Sequence, residues 1–213
     1  MVTSEELIQY LKSSEGRNLK GLAHLKTVYR PVICPFDQIL ELIPPDKKVF
    51  DLGCGSGSLL SLINQFSKPK QLGGIEVSQN LVDNARQLLS ASKVPVSINF
   101  YDGLTIPDEI ADYEVVTLID VFHHIPKPIQ VSFFEQLYRK MTKGSILIFK
   151  DIDGSSPLVY VNKLHDLLLA SEIGNEWSAE KASAMLRNCG FECSAITYRR
   201  MLVYPHYTIL ARK

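Results

Sequence analysis

Two short stretches hold the residues whose types and spacing can do chemistry. The first is Asp51-Leu52-Gly53-Cys54-Gly55-Ser56-Gly57, where alternating glycines follow the apolar Val49-Phe50 and precede Leu59, Leu60, Leu62, Ile63 and Phe66 at helical spacing. Glycines remove Cβ atoms where the chain turns tightly and let a ligand approach the main chain, while the N–H groups of a helix start face the same ligand. Glu76 lies at the end of the next apolar run, about 20 residues further on, where the acid of a doubly wound sheet accepts hydrogen bonds from a ribose. The second stretch, Asp120-Val121-Phe122-His123-His124-Ile125-Pro126, places a histidine pair behind an acid. An imidazole titrates near neutral pH, so His123 or His124 could take a proton from a reacting group, or either could simply wall a pocket.

Such residues need strands that deliver each loop to one edge of a sheet. Val49–Leu52 reads as the first strand, Leu72–Val77 as the second, Val96–Tyr101 as the third ahead of Asp102-Gly103, Tyr113–Ile119 as the fourth and Ser145–Lys150 as the fifth, ending at Asp151-Ile152-Asp153-Gly154. Helical patterns separate them: Leu59–Phe66, Leu81–Leu89 with Ser78 as cap, and Ile129–Met141. This alternation predicts a parallel, doubly wound α/β sheet whose ligands bind beyond the carboxyl ends of the strands.

At the front, Thr3 and Glu6 make a capping box for a helix carrying Leu7, Ile8, Tyr10 and Leu11. A second helix, carrying Leu19, Leu22, Ala23, Leu25, Lys26 and Tyr29, is expected to stop at Arg30 before Pro31, and Pro35 opens a third through Ile43. Behind the fifth strand, Leu158, Val161, Leu164, Leu168 and Leu169 recur at helical spacing over Ser156–Ser171, with His165 on the same side. That helix could roof a pocket with His165 facing into it, or His165 is a hydrogen-bonded structural residue. Ser178 begins a last helix to Arg187 that Gly190 ends, and Phe191–Tyr198 with Val203–Ala211 form an antiparallel hairpin with Arg199-Arg200 near its turn.

A length of 213 residues suits one domain with a full core, and 46% hydrophobic with 22% charged residues is an ordinary globular balance. The 23 basic residues match the 23 acidic ones, so no whole-protein field draws nucleic acid or an anionic membrane. No apolar run reaches the ~18 to 20 residues of a membrane-spanning helix. Met1-Val2-Thr3-Ser4-Glu5-Glu6 lacks the basic start and apolar core of a secretory signal, so a cytoplasmic location is expected. Cys34, Cys54, Cys189 and Cys193 have neither disulfide density nor C-x-x-C spacing and are expected to be free thiols.

Asp51-Leu52-Gly53-Cys54-Gly55-Ser56-Gly57 resembles motif I of class I S-adenosylmethionine-dependent methyltransferases, whose first loop holds the methionine part of the cofactor. A nicotinamide-binding loop would carry its third glycine at position 58, where this chain has Ser58. The resemblance implies an α/β fold with a Rossmann-like, mostly parallel seven-stranded sheet, an antiparallel C-terminal strand and helices on both faces. It implies that Glu76 takes the ribose, that Asp102 accepts from the adenine amino group, and that Asp51, Gly53, Cys54, Gly55, Gly57, Val77, Gly103, Asp120 and Val121 belong to the same cofactor set. Asp102 also reads as an ordinary turn residue before glycine. Tyr29 and Arg30 could reach the cofactor carboxylate or the substrate from an N-terminal cover.

The loop at 120–126 is similar to that of small-molecule and lipid-type methyltransferases and unlike the Asn/Asp-Pro-Pro-Tyr/Phe loop of enzymes that methylate nucleobase amines. The implied activity is methyl transfer from S-adenosylmethionine to a small-molecule or lipid-like acceptor at O, N or C, leaving S-adenosylhomocysteine, with His123, His124 and His165 as candidate catalytic residues. Neither nucleic acid nor membrane insertion is expected, and the oligomeric state is left open. The expected organisation is a single methyltransferase domain over 1–213, with a helical cover at 1–46, a cofactor-binding core at 47–153, a helical insertion over the acceptor pocket at 154–176 and a C-terminal helix and strand pair at 177–213. Two other readings stay open. Asp120 and Asp151 could hold Mg²⁺ as in catechol-type O-methyltransferases, although two carboxylates lack a third ligand and no metal is expected. A non-catalytic cofactor-binding or assembly protein would carry the same cofactor half.

Overall fold

A computed structural model of the chain describes residues 2–13, 21–160, 163 and 174–213, with the backbone alone for 21–26. Seven strands among them are β1 (Lys48–Leu52), β2 (Gln71–Glu76), β3 (Val96–Phe100), β4 (Val115–Ile119), β5 (Ile146–Ile152), β6 (Glu192–Met201) and β7 (Tyr204–Arg212). They form one sheet in the order β3-β2-β1-β4-β5-β7-β6. The pairs β1–β2, β2–β3 and β4–β5 are parallel, and β7 pairs antiparallel with both β5 and β6. This is the Rossmann-like, mostly parallel seven-stranded sheet that the resemblance implies. Its central strands carry almost unbroken apolar runs, such as Val115-Val116-Thr117-Leu118-Ile119, because both faces of a parallel sheet are covered. Two compact units divide the chain, residues 1–105 and 106–213.

In the first unit, α1 (Ser4–Lys12) starts on the capping box read from the sequence: Thr3 Oγ1 accepts from Glu6 N at 3.3 Å and Thr3 N donates to Glu6 Oε2 at 2.7 Å. Leu7 and Leu11 are buried, and Tyr10 meets Phe66 edge-on at 5.5 Å. The helix α2 (Gly21–Ile33) does not stop at Arg30 but runs through Pro31. A proline inside a helix removes a single donor, and the ladder resumes when Cys34 N donates to Arg30 O at 2.9 Å. Burial of Thr27, Val28 and Cys34 holds the turn against that loss. The short α3 (Phe36–Glu41) follows Pro35, then α4 (Ser58–Phe66) and α5 (Gln79–Leu88) alternate with β1 to β3. At the outer strand β3, Arg86 of α5 donates from Nε and Nη2 to the Ile98 carbonyl, at 2.9 and 2.7 Å.

In the second unit, two 3-10 turns, Phe122–His124 and Lys127–Ile129, link β4 to α6 (Gln130–Lys140). An aromatic cluster fills the core behind them: Phe122 stacks on Phe134 at 4.5 Å, while Phe149 and Trp177 meet Phe122 edge-on at 5.5 and 5.0 Å. The strand β5 runs two residues beyond its expected end, because Asp151 and Ile152 pair with Tyr207 and His206 of β7. Ser178 caps α7 (Ala179–Asn188) by accepting from Lys181 N at 3.3 Å. Gly190 ends it with φ 108°, packed so closely that a Cβ would lie 2.6 Å from Tyr138 Cζ. The β6–β7 hairpin turns at Leu202-Val203, just beyond Arg199-Arg200. Of the helix expected at 156–171, residues 156–158 instead form a bend and turns, Val159, Tyr160 and Lys163 are helical, and the remaining residues, with His165, lie outside the described ones.

The aromatic cluster has a measurable weight. Phe134 is fully buried, so Phe134→Ala should cost about 3 to 5 kcal/mol and lower the denaturant midpoint of unfolding. An unchanged midpoint would show that the cluster does not hold the second unit together.

Candidate functional site

In the first unit, β1 ends with Asp51 and Leu52 buried, and the chain enters the glycine loop. Gly53 N and Cys54 N both donate to the Ile75 carbonyl, at 2.8 and 3.0 Å, so the loop folds back onto the end of β2. Gly55 and Gly57 both have positive φ, 55° and 82°, for different reasons. A Cβ on Gly57 would lie 3.1 Å from Ala85 Cα and Cβ, so this glycine lets α4 and α5 approach; a Cβ on Gly55 would meet nothing within 4 Å, so open space lies over the loop there. Gly74 is a further requirement that the sequence reading did not single out. Its missing Cβ would lie 3.1 Å from Cys54 Cβ and Leu60 Cδ1 and 3.2 Å from Asp51 O.

The Glu76 carboxylate is only 8% exposed and is already engaged. Oε2 accepts from Gly55 N at 3.0 Å and Oε1 from Ser78 N at 3.1 Å. Ser78 sits at the N-cap of α5 without a side-chain cap bond, and its main-chain N–H donates to Glu76. Burial, with the Asp51 and Glu76 charges behind it, pushes the Cys54 thiol far up, so the sulfur stays protonated. Beyond Glu76, Val77 is 58% exposed, and the position of a Cβ on Gly103 would be 3.9 Å from Val77 Cγ1. Asp102 Oδ1 accepts from Leu104 N at 2.8 Å and Thr105 N at 3.1 Å, which holds its carboxyl below the usual carboxylate range. The turn role is therefore present, and both bonds fall on one oxygen of an exposed side chain. Tyr29 is also exposed and lies under the Lys12 ammonium, 4.9 Å from the ring centroid.

In the second unit, the loop after β4 separates its two histidines. Asp120 adopts φ 54° and pairs with the fully buried Lys150 ammonium. Val121 is half-buried, Phe122 enters the aromatic core, His123 is buried and His124 is exposed. His123 Nδ1 bonds Asp151 Oδ1, and His123 N donates to Asp151 Oδ2 at 3.1 Å. An ionised carboxylate only accepts, so Nδ1 carries the proton. The two imidazoles meet tilted by 46° with centroids 4.1 Å apart, and Asn175 N covers the buried one by donating to His123 O at 2.7 Å. Asp151, which sequence reasoning treated as a strand-end carboxylate, is thus a buried partner of His123. Lys150 was missed altogether, although a charged residue closing the apolar run Ile146–Phe149 is a signal. Among the described residues no group of three His, Cys, Asp or Glu is placed to hold a metal ion. No helix among them is long and apolar enough to cross a membrane. A cleft of about 520 Å³ along β3, lined by Arg86, Leu89, Ser92 and Val96 among others, includes none of the expected site residues.

A mostly parallel seven-stranded sheet with an antiparallel strand inserted near its end, a glycine loop after β1 and an acid closing β2 define the class I S-adenosylmethionine-dependent methyltransferase fold. The chain belongs to the methyltransferase-domain family, whose profile matches residues 25–196, and its cofactor is S-adenosylmethionine. A carboxy-S-adenosyl-L-methionine synthase from Actinobacillus succinogenes is 29% identical over 171 residues, 75% of this chain and 69% of that protein. A protein of the same name from Campylobacter curvus is 24% identical over 125 residues, 59% of this chain. The chain spans 50% of the length of that relative. Among solved structures, the methyltransferase bound to the Trm112 activator from Haloferax volcanii matches with a TM-score of 0.73 at 14% identity, over 97% of this chain and 96% of that one. At that identity the likeness is one of fold.

The two bonds to Glu76 give a test that needs no ligand. A glutamine offers one acceptor oxygen to two N–H groups, so Glu76→Gln should cost about 1 to 3 kcal/mol in unfolding and speed hydrogen exchange at Gly55 or Ser78. Wild-type protection at both amides would remove the carboxylate from the loop's support.

Proposed function

We propose that this chain is an S-adenosylmethionine-dependent methyltransferase acting on a small-molecule or lipid-like acceptor. One observation carries the reading: the Glu76 carboxylate is held by Gly55 N–H on one oxygen and Ser78 N–H on the other, beside open space over Gly55. Each carboxylate oxygen keeps a further acceptor position, and the pair suits two neighbouring hydroxyls of a ribose. The residues present therefore fit the cofactor. When bound, the cofactor supplies an electrophilic sulfonium methyl group and its own leaving group.

The chain's work is to orient and to keep out water, and alignment of this kind can be worth about 7 to 11 kcal/mol. In this reading Asp51 and the main chain of Gly53, Cys54, Gly55 and Gly57 cradle the methionine part. Val77 packs its exposed side chain against the base, while Asp102 and Gly103 face the adenine end with the carboxylate oxygen that the turn leaves unbonded. Asp120 and Val121 are the remaining members of the cofactor set that the resemblance implies. Of the histidines, this reading assigns proton acceptance from an acceptor heteroatom to His124, because it is the exposed one and its ring lies against that of buried His123. The acceptor role of His165 rests on helical spacing alone. Asp120 and Asp151, which a metal-dependent reading needs, are already paired with Lys150 and His123, and this favours positioning without a metal.

One observation favours a second reading: the curated relatives from Actinobacillus succinogenes and Campylobacter curvus are carboxy-S-adenosyl-L-methionine synthases. Their name makes a carboxylated S-adenosyl-L-methionine the product. Mass spectrometry of a reaction with S-adenosylmethionine and a panel of phenols, acids, amines and lipids separates the two. S-adenosylhomocysteine together with a methylated acceptor is the expected result, a carboxylated sulfonium compound supports the second reading, and tight S-adenosylhomocysteine binding without any product points to a binding protein. Glu76→Ala should weaken S-adenosylhomocysteine binding by about 1.5 to 3 kcal/mol in calorimetry. His124→Ala should slow transfer to proton-bearing acceptors by about 10² to 10⁴ while leaving that affinity intact.

A further inference from the structure

We propose that Lys150 and Asp151 are positioning residues that together clamp the loop leaving β4 and so fix the direction of His124. The inference rests on the reading that this loop serves the reaction. Neighbouring residues of a strand point to opposite faces of the sheet, so the two side chains grip the loop from two sides. Lys150 takes the first loop residue. Its carbonyl accepts from Asp120 N at 3.0 Å, and its ammonium pairs with the Asp120 carboxylate. Asp151 takes the fourth. One oxygen receives His123 N at 3.1 Å, and the other bonds His123 Nδ1 and receives Ile152 N at 2.8 Å.

The energetics favour positioning over plain stability. Lys150 has no exposed surface, and a buried ion pair is seldom more stabilising than well-packed apolar residues in its place. Continuing the apolar run Ile146–Phe149 by one more apolar residue would serve the core equally well. What such a residue could not do is pair with the Asp120 carboxylate and so support its φ of 54°, a left-handed conformation that aspartate visits more readily than most residues but that its partner here fixes. That left-handed residue turns the chain out of β4. Between the two grips, Phe122 is anchored on Phe134, and the 3-10 turn closes with His124 N on Val121 O and Ile125 N on Phe122 O, both at 3.0 Å. His124 is the first residue past the second grip, so its exposed ring inherits a direction set by β5.

The deciding variant is Lys150→Met/Asp120→Asn, which removes both charges and leaves no unpaired buried ion, while asparagine still tolerates the left-handed conformation. Site-resolved hydrogen exchange should show the His124 and Ile125 amides exchanging at least tenfold faster than in the wild type, with the β4–β5 ladder protected as before. Asp151→Asn should loosen the same two amides. Transfer measured at saturating S-adenosylmethionine should fall at least tenfold, a change that a purely stabilising role would not produce in the folded enzyme. Unchanged exchange at His124 and Ile125, even with a lowered melting temperature, overturns the clamp. If the amides loosen while transfer and S-adenosylhomocysteine affinity stay at wild-type values, the clamp stands and the assignment of the loop to the reaction falls.

Discussion

The first unit depends on what the last two residues of β2 do for the loop behind β1. Ile75 collects Gly53 N–H and Cys54 N–H on its carbonyl, and Glu76 collects Gly55 N–H on its carboxylate. Three successive donors of a tight turn are thus satisfied by one strand end, which fixes a conformation that free glycines would not hold. The arrangement works only because Gly74 lets Cys54, Leu60 and the Asp51 carbonyl come close. It also lowers the cost of a buried carboxylate, since two main-chain donors meet it before any ligand does.

The second unit repeats the device with different chemistry. Behind β4 the loop is again held by the parallel neighbour that follows, here through Lys150 and Asp151 of β5. In both units the loop bearing the candidate residues belongs to one strand and its geometry to the next. Anchors carried on buried strands place side chains more tightly than a loop supporting itself, which suits a site whose contribution is alignment.

The glycine spacing, the capping box and the strand–helix alternation were legible because each follows from a local rule with a short reach. What escaped was decided by distant partners. Pro31 did not end α2 because packing of Thr27 and Val28 outweighed one missing donor, and β5 outran its apolar pattern because β7 supplies partners for Asp151 and Ile152. Ser78 kept its capping position without a side-chain capping bond, and its main-chain N–H serves the Glu76 carboxylate. The histidine pair was visible, but its division into a buried ring tied to Asp151 and an exposed one was not, since the carboxylate lies 28 residues away. Lys150 could have been flagged from burial logic alone: a lysine ending an apolar parallel strand must find an anion.

The Arg86 contact on β3 bears on the behaviour of the molecule in a crowded solution. The outermost strand of an open sheet presents unpaired main-chain groups that can template another chain. The Ile98 carbonyl lies on that outer side, since the β2-facing bonds of β3 fall on its alternate residues, as when Tyr101 N donates to Glu76 O. A guanidinium already fills it with two donors. An incoming strand would have to displace a charged group to pair at Ile98, so the middle of this edge is chemically occupied.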